Sequence, residues 1–404
     1  MINDTAAMPS PRHGERRNGF LLMMVLLSGS PCMALMFTAL GPVLPSLMTQ
    51  FASWGDGAFV AQVVMTMPSI GLVLAGAPNG WLVERFGGAT VLRWSLACYG
   101  LAGASGYFLD SLPLFLITRF VLGFTASGVA TAALALVAEY FDSEGRARVL
   151  SYQTAAGSAL GFISLLAAGA AAQAWGWRAP FFLYLLAWMV MAAAMWSLSA
   201  AKPVVVGKMP GRPRSSDGGF RALKPLWPLY LLIIVVFIVV FMGAVQVSFL
   251  LAADGIVSPA VQSWILASGA VANASGALSY GWLRPRLGAR GMFALSLFCM
   301  GAGNVILGGI DGVVWKVIGA SISAAGAGAV GPYLGNLLLD RALPAVRGRA
   351  AGLLFSATFV GDFLNPIAVA PLRLTLGIHA AFVIIGALCL LGAALVRIRR
   401  KTTD

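Results

Sequence analysis

Apolar stretches near 20 residues recur along the whole length of this chain, and that pattern decides most of what it can become. About 20 apolar residues in a helix cross the hydrocarbon of a bilayer. Only 10% of the residues are charged, where a water-facing domain carries about 25%, so the chain cannot clothe a surface in water. No stretch alternates apolar and polar residues as a barrel strand does, which leaves helices to satisfy the backbone inside lipid. The expected fold class is therefore all-α and integral to the membrane. Twelve spans are expected, near 20–48, 58–82, 89–109, 112–140, 147–173, 178–199, 226–252, 259–283, 291–310, 313–339, 348–371 and 378–396.

The second half repeats the first. Gly80-Trp81-Leu82-Val83-Glu84-Arg85-Phe86-Gly87 returns 201 residues on as Gly281-Trp282-Leu283-Arg284-Pro285-Arg286-Leu287-Gly288, and 9 of the 21 positions from 80 to 100 are identical at that offset. Farther on, Glu139, Arg146 and Arg148 fall on Asp340, Arg347 and Arg349. Six spans lie in each half. The expected organisation is a tail over 1–19, a six-helix half over 20–199, a linker over 200–225, a second six-helix half over 226–397 and a tail over 398–404. The linker holds Pro203, Pro210, Pro213 and Pro225 among glycines and serines. Repeats of this kind in a membrane chain point to two halves around a central site.

Charge sets the orientation. With the N-terminus in the cytoplasm, 23 of the 27 Lys and Arg residues fall in cytoplasmic loops, tails and linker, the exceptions being Arg119, Arg178, Lys316 and Arg373. The net charge of +13 then reflects topology and attraction to anionic lipid, not nucleic acid. The apolar run after Arg12, Arg16 and Arg17 is too long for a signal-peptide core, so it is expected to stay as the first span. Cys32, Cys98, Cys299 and Cys389 all lie in apolar spans without CxxC spacing, which reads as buried thiols and no metal site. The methionines of spans 1 and 2 read as flexible packing before a soft-metal site, since no histidine or thiol is in register.

Gly80-Trp-Leu-Val-Glu84-Arg85-Phe-Gly87 resembles the G-x-L-a-D-r-x-G loop of the major facilitator superfamily, between the same two spans, and Leu116-Ile-Thr-Arg119-Phe-Val-Leu122-Gly123 resembles that family's l-x-x-R-x-x-q-G motif. The resemblance implies a twelve-helix transporter with two pseudo-symmetric halves, a bacterial inner-membrane location, cytoplasmic termini and a monomer, with no cofactor and no catalysis. It further implies a cytoplasmic gate made by Gly80, Glu84, Arg85, Gly87 and Glu139. The bases that usually follow the second glycine are Gly88 and Ala89 here, and Arg93 stands one turn on as a substitute. It links Arg119 to proton coupling, against the alternative of an arginine reaching for the interface. Span 5 lacks the proline of the family's proton-driven exporters.

Asp362, in Val360-Gly361-Asp362-Phe-Leu-Asn365-Pro366, stands deep in an apolar helix where the repeat partner is Gly161. A carboxylate there must be protonated, paired or wetted. It reads as a proton-coupling or substrate group with Asn365, or else as a structural acid bonded to Asn365, Gln62 or Thr66. In the superfamily spans 1, 4, 7 and 10 line the cavity, which nominates Met33, Phe37, Thr38, Gln246, Tyr333 and Asn336. Gly29 with Pro31, Gly41 with Pro42 and Gly331 with Pro332 are expected helix breaks. No phosphate-cradling loop appears, so an ion gradient is the expected energy source. The leading expectation is proton-coupled export of a small amphiphilic compound. The alternatives are proton-coupled uptake of a small organic anion clamped by Arg119, and a membrane receptor that kept the fold.

Overall fold

Every membrane crossing is helical, and no strand occurs among the described residues. The structure, a computed structural model, describes residues 13–141, 143–200, 220–343 and 347–398. The first twelve residues, most of the linker (201–219) and the last six residues (399–404) lie outside the described residues.

Span 1 is built from α1 (His13–Leu27), α2 (Gly29–Thr38), a 3-10 turn (Gly41–Val43) and α3 (Leu44–Gln50). The breaks expected at Gly29 with Pro31 and at Gly41 with Pro42 are present, because a proline nitrogen cannot donate to the preceding turn. Ser28 at the first break turns its hydroxyl onto the Val25 carbonyl at 2.7 Å. Spans 2 to 5 are α4 (Gly57–Phe86), α5 (Gly88–Ala104), α6 (Leu112–Tyr140) and α7 (Ser143–Trp175). Span 6 joins a 3-10 segment (Ala179–Leu185) to α8 (Leu186–Ala200). Span 7 is interrupted: a 3-10 turn (Phe220–Leu226) at the end of the expected linker leads into α9 (Trp227–Val240), α10 (Met242–Val245) and α11 (Val247–Ala253). Next come α12 (Pro259–Gly309), α13 (Val313–Arg341) and α14 (Arg347–Ile398). Pro332 does not break its helix as expected; α13 runs through it.

Nine segments among the described residues are long and apolar enough to cross a membrane. Two of them, 51 and 46 residues long, hold two passes each, because α12 and α14 bend at Gly288 and Gly377. The 17-residue α5 supplies the twelfth pass. These bends repeat across the halves: Gly87 and Gly288 take φ of +80° and +69°, and Gly176 and Gly377 take +86° and +85°. Both pairs are 201 residues apart, and a side chain at any of the four is strained.

Within the bilayer the repeat is carried by close helix approach. Apolar burial does not drive helices together in lipid, so small residues that let backbones touch do that work. Gly71 on α4 faces the Phe120 carbonyl of α6, and Gly123 on α6 faces the Pro68 carbonyl of α4. At an offset of 205, Gly276 faces the Ala325 carbonyl and Gly328 faces the Asn273 carbonyl. A methyl at any of the four would collide with rigid backbone.

The buried apolar side chains form two clusters. The larger one runs through the first half and continues into the second through Met242, Val247, Leu307 and Phe382, at the ends remote from Gly87 and Gly288. The smaller belongs to the second half alone, around Tyr280, Met292, Leu334 and Ala350, at the opposite ends. The halves are therefore fused on one face and packed separately on the other.

Candidate functional site

A belt of buried polar side chains crosses the seam between the halves at mid-depth. Gln62 and Ser69 come from α4, Gln246 from the interruption between α10 and α11, and Asp362 and Asn365 from α14. Gln62 Nε2 donates to Gln246 Oε1 at 2.8 Å, and Gln246 Nε2 donates to Asn365 Oδ1 at 2.8 Å. Asn365 Nδ2 then donates to the Ile238 carbonyl at 2.7 Å. The hydroxyl of Ser69 donates to Asp362 Oδ2 in a short bond that joins first half to second. Asp362 is 2% exposed, and Gln62, Ser69, Gln246 and Asn365 are fully enclosed. Fifteen residues separate Asp362 from each of Arg347 and Gly377, about 22 Å of helix either way, which puts the carboxyl near the bilayer midplane.

Ser69 is the partner of Asp362 that the sequence reading missed. The structural alternative named Gln62 and Thr66, yet Asp362 bonds the next polar residue on the same stripe. Gln62, Thr66 and Ser69 stand at i, i+4 and i+7 on α4, one helix face. Thr66 spends its hydroxyl on the Gln62 carbonyl at 3.1 Å.

Beside the belt lies a cavity of about 250 Å³ between spans 1, 2, 5, 7, 8, 9 and 10. Its wall includes two of the nominated residues, Phe37 and Thr38. Phe37 stacks on Phe359 at 5.5 Å between ring centres, and Phe241 leans on both. Phe359 lies one turn before Asp362 on α14, so the cavity touches the carboxyl's helix through a ring pair. Gln246 is enclosed in the belt, and Met33 packs beside the larger cluster. Tyr333 and Asn336 are drawn away toward the smaller cluster: Tyr333 stacks on Phe293 at 4.8 Å, and Asn336 donates to the Tyr280 hydroxyl at 3.3 Å.

Arg119 is not brought to Asp362 or to the cavity. Its guanidinium is fully buried in the first half, where Nη2 donates to the carbonyls of Ala102 and Gly103 at 2.6 and 2.9 Å. The rings of Phe115, Phe181 and Tyr184 enclose it at 5.3 to 5.4 Å. It caps the last carbonyls of α5, where a cation also meets the helix dipole.

The other three cations that the charge count leaves off the cytoplasmic side are all paired with carboxylates. Arg178 pairs with Asp110, Arg373 with Asp56, and Lys316 with Asp254 at 2.7 Å. Asp56 caps α4 in the first half and Arg373 ends span 11 in the second, so this pair is a second polar bridge across the seam. Burial pulls the Asp56 carboxyl upward, but the Arg373 guanidinium and the α4 amides outweigh it and hold it below its ordinary value. Asp254 is held low in the same way by Lys316 and by His379, whose Nε2 is 2.7 Å from Asp254 Oδ1. Asp254, Asp311 and His379 bring one ligand atom each within 4.8 Å of one another. Two of those three are already engaged with each other and with Lys316, and no metal is assigned there.

Further bonds cross the seam on the same face: Ser248 donates to the Gly41 carbonyl at 2.7 Å and Ser258 to Gln173 at 2.9 Å. The residues nominated for a gate lie at the other face. Glu84, Arg85 and Glu139 are exposed, Arg93 is half-buried, and Arg85 rests over the rings of Trp81 and Phe86. Among the described residues none of these four forms an ion pair. Gly80 and Gly87 have open space where a side chain would begin.

Residues 26–256 match the profile of the Major Facilitator Superfamily. That is more than half of the chain, and the chain belongs to this family of membrane transporters. Among curated relatives, organic anion transporter 3 of Rattus norvegicus is 30% identical over 138 residues, covering 33% of this chain and 26% of that protein. The niacin transporter NiaP of Acinetobacter baylyi is 33% identical over 87 residues, covering 22% and 20%. The chain thus matches only about a quarter of the length of these relatives. In architecture it is similar to the nucleoside transporter NupG (TM-score 0.74, 14% identity, covering 96% of this chain and 100% of that one). It is also similar to the inward open form of the xylose transporter XylE from E. coli (TM-score 0.70, 14% identity, covering 94% and 95%). The chain is a multi-pass transporter and not an enzyme.

Proposed function

We propose that this transporter works by alternating access and exports a small amphiphilic organic compound in exchange for protons, with Asp362 carrying the proton. The observation that carries this reading is the Ser69–Asp362 hydrogen bond, because it joins the two halves at mid-depth through a titratable group. As a carboxylate, Asp362 accepts a charge-assisted bond from Ser69, which is stronger than a neutral one. Protonation removes the charge and weakens that tie, so the halves part more readily. A bare carboxylate in a dry seam is costly, so the unprotonated carrier is held with the tie made. Asn365 and Gln246 keep α14 and span 7 in register beside it. Substrate enters the same account through Phe37, which lines the cavity and stacks on Phe359 one turn from Asp362.

In the orientation given by the charge count, both termini and the linker are cytoplasmic, in a bacterial plasma membrane. The fused face is then the periplasmic one, and the structure is closed to the outside. Gly80, Glu84, Arg85, Gly87, Arg93 and Glu139 act as the cytoplasmic lock in the opposite state, when the halves meet on that side. Arg119 serves as a positioning group that ties span 3 to span 4. The unit is a monomer surrounded by lipid, and no cofactor enters.

The test is proton movement in proteoliposomes, wild type against Asp362→Asn, as neutral amphiphiles, amphiphilic cations and small organic acids are added. Compound-driven proton movement that disappears in the variant is the expected result, and its sign gives the direction of exchange. Substrate movement indifferent to both the pH gradient and the variant overturns the coupling. A second reading, proton-coupled uptake of a small organic anion, draws on the organic-anion names of the curated relatives. It predicts that protons and an organic acid move in the same direction.

A further inference from the structure

The cavity wall carries little that would bind an ion. Of its 19 lining residues, three bear polar side chains, Thr38, Asn273 and Ser323, and the rest are glycine or apolar. Thr38 already bonds the Ala34 carbonyl at 2.9 Å and the Ser164 hydroxyl at 2.6 Å. Asn273 gives its Nδ2 to the Ala324 carbonyl at 3.3 Å, which leaves its amide oxygen as an acceptor. The Ser323 hydroxyl reaches Asn304 Oδ1 only at 3.5 Å, so it can turn to a ligand at little loss.

The buried cations are committed elsewhere. Arg119 is held by carbonyls and aromatic rings of the first half. Lys316 gives its ammonium to Asp254 and to the Leu307 carbonyl, both at 2.7 Å. Asp362, the buried acid among the described residues, is bonded to Ser69 and does not line the cavity. An organic anion in this cavity would meet no counter-charge, and a cation would meet none either. Moving an ion from water into such a wall is far costlier than moving a hydroxyl that finds a partner.

We infer that the cavity takes an uncharged, mostly apolar molecule with one hydroxyl or amide group, which pairs with Asn273 and Ser323. This deepens the transport reading, since it names the substrate class of that same site. A neutral cargo exchanged for one proton carries one net charge across the membrane per cycle. Turnover then responds to an imposed membrane potential as well as to a pH gradient.

The experiment is calorimetric titration of the purified full-length chain at neutral pH with three probes on one two-ring frame: naphthalenemethanol, naphthoate and naphthylmethylammonium. The alcohol should bind at least about tenfold more tightly than either ion. Asn273→Ala and Ser323→Ala should each weaken the alcohol by roughly fivefold, the effect of one hydrogen bond. Ala270→Lys, which sets a cation in the wall, should raise naphthoate affinity above that of the alcohol. Either ion matching the alcohol in the wild type overturns the inference. So does the absence of binding by all three to protein that still melts cooperatively. Binding needs no gradient, so the two readings fail separately: proton movement unaffected by Asp362→Asn removes the coupling and leaves the ligand class standing.

Discussion

The two halves solve one local problem with different cations. In the first, Arg119 of span 4 bonds the Ala102 carbonyl of span 3; in the second, Lys316 of span 10 bonds the Leu307 carbonyl of span 9, and those carbonyls are 205 residues apart. Each cation pins the end of the third helix of its half. Lys316 also meets Asp254 and, through it, His379, so spans 7, 9, 10 and 12 are tied through one ammonium and its carboxylate. Among the described residues Arg119 meets no carboxylate, and it relies on rings and carbonyls. The first half is thus held at this point by short-range packing, and the second by a buried ion pair on the helix that is interrupted next to the polar belt. One repeat supports both, because the architecture needs the pinned carbonyl and not a particular counter-charge.

Removing the cations separates these designs. Lys316→Met strips the ammonium from Asp254 and leaves it His379 alone, which should destabilise the protein by about 3 kcal/mol. Arg119→Met leaves two carbonyls short of a donor but no orphan charge, and about 1–3 kcal/mol is expected. Thermal melts in one detergent check the order; an equal or larger loss at Arg119 breaks the comparison. Pairing Lys316→Met with Asp254→Asn should recover part of the larger loss, since the orphan charge is gone.

The glycine contacts, where the halves agree, should respond alike. Gly71→Ala and Gly276→Ala each set a methyl against a backbone carbonyl, of Phe120 and Ala325, that cannot swing away. A similar loss of roughly 1–3 kcal/mol is expected at both, and a large difference in melting would show that the repeat is geometric without being energetic.

The smallest effect belongs to the bridge at the fused face. Arg373→Ala should alter overall stability by no more than about 1 kcal/mol, because the Asp56 side chain is 31% exposed and solvent screens the pair. Its readout is accessibility: a cysteine placed beside Asp56 should label faster in the variant. The pH sign follows from the lowered Asp56 value. A depressed carboxylate contributes above its unfolded value, about 3.9, and loses that contribution as pH falls through the folded value. The labelling gap between wild type and variant, in which the thiol's own ionisation cancels, should therefore be constant across neutral pH and close only in strong acid.

The crossings were legible because lipid makes a simple demand on sequence: 20 apolar residues and a positive loop. The breaks in span 1 were legible because Gly41-Pro42 cannot continue a helix undisturbed. Pro332 carries the same chemistry and does not break α13, since neighbouring helices can support the turn a proline leaves open. The site was harder to read. Asp362 announces itself, as a charge in an apolar helix must. Ser69 does not, because a lone serine in a membrane helix usually returns its hydroxyl to the preceding turn, as Ser296 does to the Met292 carbonyl at 3.1 Å. Arg119 shows the limit most sharply. Its depth could be counted from the sequence, but its direction depends on how α6 is rotated against α5, and that is set by contacts such as Gly128 on Ser95.

The apolar seam that fuses the halves on one face gives the carrier a thermal character. Opening that face wets side chains such as Val247, Leu307 and Phe382 that are now packed together. Wetting apolar surface raises heat capacity, and water's hold on such surface becomes less unfavourable on cooling. On the alternating-access proposal, the balance between the two facing states should drift with temperature along a curve, cold loosening the seam and moderate warmth tightening it.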